Sequence, residues 1–169
     1  MSGVIGSGLG GASHHGKSGI LGRFPSGQII QTNYMTSDDY ITTTSASYVT
    51  TSLTDTIAVR SASSYIMVNI VAQISVNDGA DGAHMRLNES TTSLAKIVTT
   101  YVGAGTDTFT NSYASFHLYH AHAQVAGTAL AYTLNFRVQT AGSGKTAAMN
   151  DHNIDNQQIS SMTLQEIEQ

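Results

Sequence analysis

The stretch Gly11-Ala12-Ser13-His14-His15-Gly16-Lys17-Ser18 matches the phosphate-cradling pattern G-x4-G-K-S letter for letter. That pattern works when a strand feeds a glycine-rich turn whose amides point at phosphate and a helix begins at the lysine. Neither flank supplies this. Four glycines fill residues 1–10, and Gly19, Gly22 and Pro25 bar a helix downstream. The later Gly142-Ser143-Gly144-Lys145-Thr146 has Gln139 where the first glycine is required, and reads as a hairpin turn. His120-Ala121-His122 sets two imidazoles on one side of a strand, a spacing that metal-binding β-sandwiches complete with a carboxylate a few residues on. Here Ala123, Gln124, Val125 and Ala126 follow, so no metal site is assigned and His120 and His122 stand only as weak candidates. Their neighbours His117 and Tyr119 point to the opposite face. Asp78, Asp81 and the run from Asn150 to Asn156 carry oxygen ligands in spacings that match no EF-hand, and such clusters are ordinary turn chemistry. There is no G-x-S-x-G elbow, and the only glutamates are Glu89, Glu166 and Glu168. Neither a nucleophilic triad nor a glycosidase carboxylate pair stands out. No enzyme activity and no cofactor are expected.

The elements that must hold these residues are legible in the composition. The chain has 169 residues, 7 Lys+Arg against 11 Asp+Glu for a net charge of −4, and charged residues make up 11%. That is well below the roughly 25% of an ordinary soluble domain. Its 21 Thr, 20 Ser and 16 Gly favour strand and turn over helix. The absence of cysteine excludes a disulfide scaffold and a thiolate zinc site. The longest apolar-leaning run, residues 65–76, holds Asn69 and Gln73 and is too short for a helical membrane span. Neither membrane insertion nor a secretory signal is expected. An acidic balance without a basic stripe argues against nucleic acid as a partner. The seven histidines equal Lys+Arg in number, so their full protonation would turn the formal charge from −4 to +3.

Residues 1–25 contain eight glycines and few apolar side chains, chiefly Val4, Ile5, Leu9, Ile20, Leu21 and Phe24. Their ordering entropy is not offset by burial, so the segment is expected to be a flexible arm with a reach on the order of 80 Å. From residue 26 on, period-two runs separated by turn signals predict strands at 28–34, 40–44, 48–53, 56–60, 65–76, 83–88, 94–99, 113–125, 129–139, 146–150 and 162–167. The clearest is 65–76, whose even positions from Ile66 to Val76 are all aliphatic. A tight hairpin is expected at Asn77–Gly82. The reading is all-β: an arm over 1–25 and, over 26–169, an antiparallel two-sheet jelly-roll sandwich.

Several segments carry a resemblance: Gly27-Gln28-Ile29-Ile30-Gln31, the Thr/Ser-rich 42–56, Ser61-Ala62-Ser63-Ser64-Tyr65-Ile66-Met67-Val68, Tyr132–Val138, and above all Ser160-Ser161-Met162-Thr163-Leu164-Gln165-Glu166-Ile167. Over about five-sixths of its length, the chain resembles a family of tailed-phage virion proteins with a small trimeric jelly roll, similar in shape to tumour-necrosis-factor and C1q heads. Tyr65 stands where such proteins have Lys. The resemblance implies a homotrimeric surface knob, a capsid decoration or short fibre, assembled in the host cytoplasm and displayed on the virion. Its partners would be capsid or tail proteins, held through Ile5, Leu9, Ile20, Leu21 and Phe24 of the arm, with His117 and Tyr119 expected at the trimer contact. The alternative is a head that binds a host glycan or surface protein through exposed loops carrying Asp78, Asp81, Asp107, Asp151, His152 and Asn153. A metal-dependent enzyme is a remote third reading.

Overall fold

A computed structural model describes residues 25–77, 82–100, 110–140, 144–151 and 158–169. Ten strands run through them: β1 Ile29–Ser37, β2 Ile41–Thr43, β3 Val49–Ala58, β4 Tyr65–Val76 and β5 Gly82–Glu89, followed by β6 Thr92–Thr100, β7 Thr110–Ala121, β8 Ala129–Val138, β9 Ala147–Met149 and β10 Ser160–Ile167. One sheet has the order β1-β10-β4-β9-β2 with β7 on the other edge of β4, and the second has the order β3-β8-β5-β6. Every pairing is antiparallel. With the two three-residue strands set aside, the eight long strands fall in the orders 1-8-3-6 and 2-7-4-5. These are the two sheets of a jelly roll.

The core lies between the sheets and follows from the alternation of the strands. Ile66, Val68, Ile70 and Ile74 of β4, with Met162 and Leu164 of β10, face Leu53 and Ile57 of β3, Met85 and Leu87 of β5, and Leu134 and Phe136 of β8. β4 spans the full residue range that its aliphatic repeat predicts.

Three local expectations are corrected. Asn77–Gly82 and Gly142–Thr146 are not hairpins, because β4 and β5, and likewise β8 and β9, lie in different sheets. Turn residues mark a change of direction but do not say which sheet the chain enters, and the inward-facing residues on both sides of these connections send it across the sandwich. Among the described strands, only β5 and β6 are both consecutive and paired. The runs at 48–53 and 56–60 are one strand, β3, whose pairing with β8 is irregular between Thr50 and Thr54. There Thr51 Oγ1 donates to Leu134 O at 2.7 Å and accepts from Leu53 N at 3.1 Å, so a side chain fills the broken ladder. β7 stops at Ala121 rather than Val125, because Ala121 already stands opposite the first residue of β4, Tyr65, and no partner strand extends further.

Candidate functional site

Three of the five segments that carry the resemblance, 27–31, 61–68 and 160–167, meet at one buried carboxylate. Glu166, fully buried near the end of β10, accepts hydrogen bonds at Oε1 from Arg60 N (2.8 Å), Ser61 N (2.9 Å) and Ser64 Oγ (2.6 Å). Its Oε2 accepts from Gln31 Nε2 at 2.6 Å. Burial opposes its ionisation, but the donors from Ser64, Ser61, Arg60 and Gln31 outweigh that and hold the carboxyl below the ordinary glutamate value. Ser63 Oγ donates to Glu168 Oε1 at 2.5 Å, so the loop before β4 is fastened twice to the end of the chain.

The two candidate metal ligands are engaged separately. His122 Nε2 lies 3.1 Å from Ser64 Oγ, whose proton is committed to Glu166, so the imidazole donates in this contact. His120 Nδ1 lies 2.7 Å from the hydroxyl of the fully buried Tyr132, a bridge between β7 of one sheet and β8 of the other. Burial lowers both imidazole pKa values; Glu166 partly offsets this at His122 and Glu89 does so at His120. Burial and the nearby Glu89 raise the Tyr132 phenol. Among the described residues no group of three His, Asp or Glu is placed to hold a metal. The His122–Ser64–Glu166 chain also inverts a hydrolytic triad: the carboxylate binds the serine rather than the histidine, and Ser64 is buried.

Asp151, expected on an exposed recognition loop, is instead 1% exposed and accepts from Ser75 Oγ at 3.1 Å. It belongs to a polar seam where β9 and β10 share one edge of β4 end to end. The seam needs filling because residues 72–73 of β4 fall between the two partners. Gln73 N donates to Ser160 Oγ (3.1 Å), Gln73 Oε1 accepts from Asp151 N (2.9 Å), and Ser160 Oγ donates to Asn150 Oδ1 (2.7 Å). Nothing in the local sequence announces a buried aspartate here, since the seam exists only once three distant strands have paired. Asp78, Asp81, Asp107, His152, Asn153 and the arm residues Ile5, Leu9, Ile20, Leu21 and Phe24 lie outside the described residues.

His117 and Tyr119 are both exposed on the outer face of the six-stranded sheet. Register aligns that face in rows: Thr32, Gln165, Met67 and Tyr119; Tyr34, Thr163, Asn69 and His117; Thr36, Ser161, Val71 and Ser115. No Asp, Glu, Lys or Arg occupies any of these positions. Tyr34 is 67% exposed, Tyr119 57% and Val71 45%. Tyr119 packs edge-on to Tyr65 and to His117, with ring centroids 5.1 and 5.4 Å apart, and His117 Nδ1 bonds to Asn69 Oδ1. Tyr65, Tyr119, Ala121 and Gln169 border an open hollow of about 360 Å³ at one end of the face. A sheet surface this free of charge departs from the roughly 25–35% charged make-up of a free surface.

No protein-family model matches the sequence, and no curated protein matches it. Among solved structures, dimeric latent PorU from Porphyromonas gingivalis is similar at 10% identity with a TM-score of 0.46, over 86% of this chain and 14% of that one. The VP2 subviral particle of infectious bursal disease virus is similar at 9% identity with a TM-score of 0.35, over 84% of this chain and 38% of that one. The Gx strain of the same virus gives 11% identity and a TM-score of 0.34, over 82% and 38%. The chain thus spans well under half the length of each.

Proposed function

We propose that this chain is a virion structural protein: a jelly-roll head that forms a homotrimer through the outer face of its six-stranded sheet, displayed on the particle surface and anchored by residues 1–25. The observation that carries the reading is the uncharged face bearing Tyr34, Val71, His117 and Tyr119. Aromatic side chains with polar tips gain most from burial against another protein while their hydroxyls find partners at its rim. The strand orders 1-8-3-6 and 2-7-4-5 support the jelly-roll part of this reading. The glycine-rich arm suits a segment that takes up order against a capsid or tail protein. Assembly in the host cytoplasm follows from the same reading.

The test is incorporation. Expressed during infection, a chain lacking residues 1–25 is expected to be missing from purified particles while the whole chain is present at full copy number. Normal incorporation of the shortened chain would overturn the anchoring role.

A further inference from the structure

The outer face of the four-stranded sheet has the opposite character. Arg137 on β8 stands beside His84 on β5, and Arg86, one row along β5, stands between Asn135 of β8 and Lys96 of β6. Three of the chain's seven Lys and Arg therefore converge on two adjacent rows of a protein whose net charge is −4. Like charges directly opposite one another, as Arg86 and Lys96 are, cost stability unless something else holds or uses them. Among the described residues none of the three pairs with a carboxylate.

Their placement is built rather than incidental. The Tyr48 ring gathers both guanidinium groups, with Arg86 Cζ 4.1 Å and Arg137 Cζ 5.2 Å from its centroid. Arg137 Nη1 donates to Ala46 O at 2.7 Å and Nη2 to His84 Nδ1 at 2.9 Å. His84 thus accepts at Nδ1 and carries its proton on Nε2. Burial, then Arg137 and Lys96, lower its pKa and favour that neutral form. Among the described residues Arg86 donates to no acceptor; the side chain is half-buried and its Nε is sealed without a partner. A guanidinium stacked on an aromatic ring keeps its in-plane N–H fork free, the geometry that grips a planar or tetrahedral oxyanion. Beside it, the exposed Thr50 donates from Oγ1 to Oδ1 of the buried Asn135 at 3.2 Å, which leaves the threonine oxygen free to accept from a hydroxyl group.

We infer that Lys96 with Arg86 and Arg137, the two arginines positioned by Tyr48, form a binding site for an acidic saccharide, the oxyanion of a carboxylated or sulfated sugar lying between the cations and a hydroxyl against Thr50. The cluster is compact and does not continue as a stripe, which favours one acidic sugar unit over a nucleic-acid backbone. This inference does not rest on the virion reading, because it uses the other sheet.

The test titrates the full-length chain by calorimetry with sialyllactose, a heparin-derived sulfated tetrasaccharide and neutral lactose. At least one acidic sugar should bind, more weakly at higher salt, and lactose should not. Arg86→Gln and Lys96→Glu are each expected to weaken binding at least tenfold with the circular dichroism spectrum unchanged. Lys145→Glu makes the same charge change outside this face and is expected to leave affinity within about twofold. Failure of both acidic sugars to bind, or equal losses in the Lys96 and Lys145 variants, would overturn the site. Tighter binding of a single-stranded DNA oligonucleotide than of either sugar would overturn the saccharide assignment.

Discussion

Glu166 shows how one side chain holds several distant segments. Its carboxylate is the shared acceptor for the loop at Arg60–Ser64 and for Gln31 of β1, so a change there touches β1, β10 and the approach to β4 together. Glu166→Gln places an amide donor among donors and is expected to cost about 2–4 kcal/mol in urea unfolding at neutral pH. The same measurement across pH should show two acid steps. His84, His120 and His122 have folded-state values below the ordinary 6.5, so the unfolded chain takes up protons first. Their contribution is complete above about pH 6.5 and is lost as the pH falls below it. Glu166 also sits below its ordinary value of 4.5, so its contribution is lost in a second step beneath that pH. The Gln variant should lack the Glu166 part of the lower step and keep the upper one. A wild-type stability that stays flat from pH 7 to 3 would contradict both assignments.

At the scale of elements, the weak point is the seam where β9 follows β10 along β4. β2 and β9 have three residues each and are held by Asn150, whose Nδ2 donates to Ser37 O at 2.9 Å and Asp39 O at 3.2 Å and whose Oδ1 accepts from Ser160. Asn150 also has a positive φ of 55°, a conformation that asparagine tolerates better than most residues. Asn150→Ala is expected to speed amide exchange in β2 and β9 at least tenfold while β5 and β8 keep their protection. Uniform acceleration across both sheets would mean that the seam is not an independent unit. This seam also marks where reading the sequence stops. β4 and β8 were legible because one face of each is aliphatic or aromatic at every second position, and period two needs no knowledge of neighbours. β2 and β9 fall within the runs predicted at 40–44 and 146–150, but their pairing is set by strands more than thirty residues away in the chain. The Asn77–Gly82 turn was visible as a turn, but the sheet it leads to is decided by core packing on both sides. The same limit hid the cationic outer face of the four-stranded sheet. Arg86, Lys96 and Arg137 look scattered in sequence and become neighbours only through the β8-β5-β6 order. Asp151 looked like loop chemistry for the same reason.

The whole molecule is a sandwich with two unlike exteriors, one uncharged and aromatic, the other cationic. Covering the first with copies of the same chain leaves the second facing outward, where an acidic ligand can reach it. In the proposed trimer, the uncharged surface would become interface and add to the stability of a chain with no disulfides. The central claim is that the Tyr34–Val71–Tyr119 face is buried between subunits. Sedimentation equilibrium of the full-length chain tests it most directly, paired with the double variant Val71→Lys and Tyr119→Lys, which sets two charges on that face. A mass three times the 17.8 kDa of one chain is expected for the wild type and a single-chain mass for the folded variant. A wild type that sediments as a monomer, or a variant that remains trimeric, would contradict it.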